Sequence, residues 1–151
     1  MPALDYLQST AVTTADISAD ANGLKSTAAV NLGRSGFPQN MYCTVVVSEA
    51  SAADFTSGST RRLRFRCEYT TDNGTTWHVA GMGDGKSSSA GVPLQLVTFP
   101  VGLTDIVPEQ NAASDIDWRV TSDIQATLAS ADDFDFQGFL GYNAGQYAQV
   151  E

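Results

Sequence analysis

The stretch Arg62–Tyr69, RLRFRCEY, constrains the fold more than any other part of the chain. Leu63, Phe65, Cys67 and Tyr69 alternate with Arg62, Arg64, Arg66 and Glu68. A period of two puts the apolar side chains on one strand face and the charged ones on the other. One face is therefore buried, and the other is wet or at an interface. Half-wet sheets are usually antiparallel.

The same grammar recurs along the chain. Met41–Val47, MYCTVVV, is a strand whose second face (Tyr42, Thr44, Val46) is also partly apolar, which predicts a central position. Thr76–Met82 and Val92–Phe99 read as two more strands, with Pro93 near the start of the second, where a missing donor is tolerated. Ile116–Val120 buries Ile116, Trp118 and Val120 and exposes Asp117 and Arg119. Ile124–Leu128 continues it or follows a bend. Phe134–Tyr142, FDFQGFLGY, alternates strictly and then breaks at Gly138, which predicts a bulge or a tight contact.

The first third is Thr-, Ala- and Val-rich. Ala11–Ile17 and Ser26–Leu32, with Asn22-Gly23 between them, read as a weak hairpin or as an arm crossing a sheet edge. Ser48–Phe55 is the best helical segment, and no sustained 3.6-residue period occurs anywhere. The sum is an all-β, antiparallel β-sandwich of about eight strands, the spacing that sandwiches and barrels require. We read residues 1–151 as one domain, with an N-terminal arm or hairpin over 1–33 and a C-terminal tail over 143–151.

Composition narrows the function. The chain carries 8 basic and 17 acidic residues, a net charge of −9. That balance disfavours nucleic acid and anionic lipid, since both demand a basic surface. No apolar run approaches the length of a membrane span. The opening MPALDYLQST lacks the basic and apolar regions of a secretory signal. Cys43 and Cys67 have no CxxC spacing and no neighbouring His, so reduced core thiols are expected over a disulfide or a zinc site. No cofactor is expected.

Thr70–Trp77, TTDNGTTW, matches the Asp box of sialidases and other sugar-handling proteins. It also sits where a turn must join two strands. Asp72 can accept backbone N–H bonds, Gly74 can adopt a positive φ, and Trp77 can pack its ring on the hairpin. One copy in a short chain favours a structural turn over sugar chemistry.

No catalytic or metal residues are assigned. His78 is the only histidine and reads as an exposed or interface residue. Asp132, Asp133 and Asp135 read as a solvated edge, with calcium binding the sharper alternative. GDGKSSSAG, Gly83–Gly91, lacks the spacing and context of a phosphate loop. Arg62, Arg64 and Arg66 line one face about 6–7 Å apart by strand rise. Such a row suits an interface with carboxylates of a partner or of another copy. Ile106 and Val107, in the long Thr104–Asp115 loop, suggest a docking segment, and the tail that holds Tyr147 reads either as loose or as ordered by a neighbouring subunit, with Tyr147 its candidate interface residue.

Taken in order, the short Thr/Ala strands, STAAVNLG at Ser26–Gly33, MYCTVVVSEA, LRFRCEYTTDNGTTW and the late IDWRV resemble the cement or decoration proteins of tailed phages. The resemblance implies a jelly-roll-like sandwich, assembled as a homotrimer on the capsid exterior of the virion. It would bridge copies of the major capsid protein after assembly in the host cytoplasm, without chemistry. The aromatic FDFQGFLGY and the tail NAGQYAQVE depart from that family's pattern. Two other classes stay open: a carbohydrate-binding module with Trp77, Trp118 or Tyr142 as stacking residues, and a hydrolase with converging Asp and His side chains.

Overall fold

The computed structural model describes residues 6–16, 24–37, 40–49, 62–85, 94–102, 115–125 and 133–142. Every regular element among them is a strand: β1 (Tyr6–Ser9), β2 (Thr13–Asp16), β3 (Lys25–Ser26), β4 (Val30–Asn31), β5 (Met41–Glu49), β6 (Arg62–Thr70), β7 (His78–Asp84), β8 (Leu94–Val101), β9 (Asp117–Gln125) and β10 (Asp133–Gly141). They form two antiparallel sheets packed as a sandwich. One has the order β1-β10-β5-β8, with β2 also on β10. The other has the order β3-β9-β6-β7, with β4 also on β9.

The predicted long strands are present, with shifted ends. β5 is central, between β10 and β8. The strand expected at Thr76–Met82 begins at His78, because the turn before it consumes two more residues. The one expected at Val92–Phe99 runs over Leu94–Val101. β9 continues unbroken to Gln125, so no bend separates Ile116–Val120 from Ile124. Ser48 and Glu49 finish β5 and start no helix. The rest of that helical segment, the Asn22-Gly23 turn, and Ile106, Val107, Tyr147 and Asp132 lie outside the described residues.

The N-terminal region is an arm, and the hairpin reading is overturned. β1 and β2 pair with β10, whereas β3 and β4 pair with β9 in the opposite sheet. Gln8 holds this crossing. Its Nε2 donates to the Asn31 carbonyl (2.6 Å), and its Oε1 accepts from Trp118 Nε1 (2.8 Å). The buried indole thus keeps its N–H satisfied, which the desolvation of a polar group requires. Taken as interrupted strands, β1 with β2 and β3 with β4 reduce ten strands to the expected eight.

One core lies between the sheets. Met41, Cys43, Val45 and Val47 of β5, with Phe134, Phe136 and Leu140 of β10 beside them, face Phe65, Cys67 and Tyr69 of β6 and Ile116, Trp118 and Val120 of the opposite sheet. Both cysteines are free thiols. A hydrogen bond with Cys43, reinforced by burial, pushes the Cys67 thiol well above its ordinary pKa.

The break at Gly138 is a tight contact and not a bulge against β5. Pairing with β5 runs in regular register from Phe134 through Gly141. A side chain at 138 would overlap Val120 Cγ2 and touch Trp118 Cζ3. β10 is also an interior strand, which corrects the solvated-edge reading of Asp133 and Asp135. Asp135 lies on the sheet's outer face, where it accepts a hydrogen bond from Thr14 Oγ1.

Candidate functional site

The outer face of the β3-β9-β6-β7 sheet carries Arg64 and Arg66 of the arginine row. The Thr70–Trp77 turn caps its β6–β7 end. The Asp72 carboxylate accepts the Thr76 N–H (2.8 Å) and the Thr70 hydroxyl (2.7 Å). Those bonds favour the ionised form and lower its pKa to about 2, the Thr76 backbone contributing most. Thr70 Oγ1 in turn accepts the Gly74 N–H (3.0 Å). Asn73 and Gly74 take the left-handed conformation, at φ 56° and 84°. Gly74 does so without strain and lies under the Trp77 ring. Asp72, Gly74 and Trp77 thus occupy the turn roles expected of them.

Two arginines of the row lie beside carboxylates of this chain. Arg64 Nε bonds the Asp84 carboxylate at 2.9 Å, and that bond raises the Arg64 pKa further. Arg66 Nε lies 3.8 Å from Glu68 Oε1 and is buried without a hydrogen bond. For Arg62 only the backbone is described, paired with Gln125.

Glu68 is the residue that alternation alone misplaced. It points to the outer face, as expected, yet is only 7% exposed. Its Oε2 accepts from Arg119 Nε (2.8 Å) and Thr121 Oγ1 (2.9 Å). Thr121 also shares a hydrogen bond with Ser26 at 2.8 Å. A buried carboxylate needs such partners. The Arg119 guanidinium lies 3.8 Å above the Trp77 ring, so one arginine links the turn to the Glu68 cluster. Arg66 and Glu68, two apart on one strand, gave the only advance sign of the cluster. Arg119 and Thr121 arrive through the β6–β9 register, which pairs Glu68 with Arg119.

His78 does not join a carboxylate cluster. Its ring stacks on Tyr69, with centroids 5.4 Å apart, in the sheet opposite the one that carries Asp135. Among the described residues, no group of three His, Cys, Asp or Glu side chains could hold a metal ion. Of the three aromatic stacking candidates, Trp118 is 0% exposed and Trp77 is half-buried beneath Arg119. Tyr142 is exposed, with its hydroxyl accepting from Arg34 at 3.4 Å. Compared with family models, curated proteins and solved structures, the chain matches none of them.

Proposed function

We propose that this chain is a structural virion protein: a jelly-roll sandwich that decorates and cements a tailed-phage capsid from outside, as a homotrimer bridging major capsid proteins. The observation that carries the reading is where the indoles lie. The sugar-binding alternative needs flat aromatic faces open to solvent. Trp118 instead fills the core and Arg119 covers one face of Trp77, which leaves Tyr142, 38% exposed, as the one of the three candidates in the open. The Asp-box octet is accounted for by turn geometry alone.

The strand order supports the jelly-roll part. β5 and β8 neighbour each other across two intervening strands of the other sheet, and β6 and β9 do so across β7 and β8 in sequence. Non-local pairs of this kind arise when Greek-key connections wrap a chain around one core. A rigid sandwich suits cementing, because several linked weak contacts hold better than each alone.

Light scattering coupled to size exclusion, with a glycan array alongside, tests the proposal. A trimer with no glycan retained supports it. A monomer that binds glycans at micromolar strength overturns it in favour of the sugar-binding class.

A further inference from the structure

Cys43 and Cys67 are the only cysteines of the chain. They stand on β5 and β6, interior strands of opposite sheets, and both are buried in the one core. Across the core their thiols are hydrogen-bonded to each other.

Distance normally forbids a covalent bond across a sandwich. Sheets pack face to face about 10 Å apart, whereas a disulfide spans about 4.4–6.8 Å between Cα atoms. Here the sheets close in beside the pair. Gly81 is the β7 partner of Cys67, and Phe99 is the β8 partner of Cys43. A side chain at 81 would overlap the Pro100 carbonyl oxygen and press on Phe99 Cδ2 at 3.1 Å. The Gly102 N–H donates to the Ala80 carbonyl at 3.1 Å, which ties the end of β8 to β7 across the gap. On the other flank, Val120 is the β9 partner of Cys67, and it is the residue that Gly138 of β10 meets. Glycines on both sides thus draw the two sheets together at the level of the thiols.

We propose that Cys43 and Cys67 form a dithiol site that oxidises to an internal disulfide and so clamps the two sheets covalently. The oxidant is a small-molecule disulfide. One cysteine thiolate attacks a sulfur of the reagent, forms a mixed disulfide and releases one reagent thiol. The other cysteine thiolate attacks the protein sulfur of that mixed disulfide and releases the second. The two cysteines lose two protons and two electrons, and the reagent gains them as two thiols. Burial sets the timing. The closed sandwich keeps the reagent out, so the bond forms while the sheets are apart, as the chain folds or opens. It closes a loop of about 24 residues, which restricts the unfolded chain. The core therefore stays a dithiol after folding in a reducing compartment and is cross-linked after folding in an oxidising one.

Refolding from guanidinium in mixtures of reduced and oxidised glutathione tests the site. Intact mass spectrometry after acid quenching reads the dithiol, the glutathione adducts and the internal disulfide, which can only join these two residues. The same equilibrium measured in guanidinium supplies the unfolded reference. The effective concentration of one thiol toward the other is expected to be about a hundredfold higher in the folded protein. The oxidised form should unfold at about 1–2 M more urea than the reduced form, with the same far-ultraviolet circular dichroism. An effective concentration no higher in the folded protein overturns the site. So does an oxidised form that unfolds at the same or lower urea, or a product dominated by glutathione adducts or disulfide-linked dimers.

Discussion

Gly138 of β10 packs against Val120 of the facing sheet so closely that any Cβ at 138 would overlap the valine Cγ2. The two sheets meet through a residue that has no side chain, beside the fully buried Trp118. Overfilled cores respond by moving backbone or forcing rotamers, at about 1–3 kcal/mol. Gly138→Ala is therefore expected to lower the urea midpoint by an amount in that range with m unchanged. Adding Val120→Ala removes the clash, so the pair should be less destabilised than the sum of its singles. Strict additivity in the denaturation cycle would show that the contact does not limit packing.

Glu68 and Arg64 look alike in sequence and should behave differently. Glu68→Ala leaves Arg119 and Arg66 without their shared carboxylate on a largely covered face, and is expected to cost on the order of 2 kcal/mol. Arg64→Ala removes a surface pair with Asp84 and should cost about 0.5 kcal/mol or less. Equal losses in chemical denaturation would mean that the buried cluster is no more cohesive than the exposed pair.

The Asp72 turn carries a pH signature. Its folded carboxyl titrates near about 2, below the unfolded value of about 4. A depressed folded pKa stabilises the native state fully above the unfolded value. That contribution fades as pH falls through the folded one. Carbon-detected NMR of the Asp72 carboxyl should give a midpoint near about 2. Thr70→Val removes one donor and should move it upward. The protection factors of the turn amides of Gly74 and Thr76, taken relative to the intrinsic exchange rate at each pH, should fall as pH drops from about 4 toward about 2.

The two thiols are expected to be silent in the native protein. Cys43 and Cys67 are buried, and a raised pKa keeps Cys67 protonated at pH 8. An aromatic disulfide reagent should label neither within minutes under native conditions and both in guanidinium. Rapid native labelling of either would mean that the sheets part readily along β5 and β6.

Period-two alternation in RLRFRCEY, IDWRV and FDFQ determined the strands, the faces they bury and the β-sandwich class, because side-chain direction along a strand is a local property. The turn roles of Asp72, Gly74 and Trp77 were also local, since every partner of Asp72 lies within four residues. Only the tertiary structure decided that the N-terminal segment splits between sheets, that Gly138 faces Val120, and that Glu68 is covered by Arg119. Each depends on which strands pair and in what register. Those partners lie 51 residues apart for Glu68 and Arg119 and 110 for Gln8 and Trp118. No local pattern specifies a pairing at that range. It is selected by the whole core closing at once.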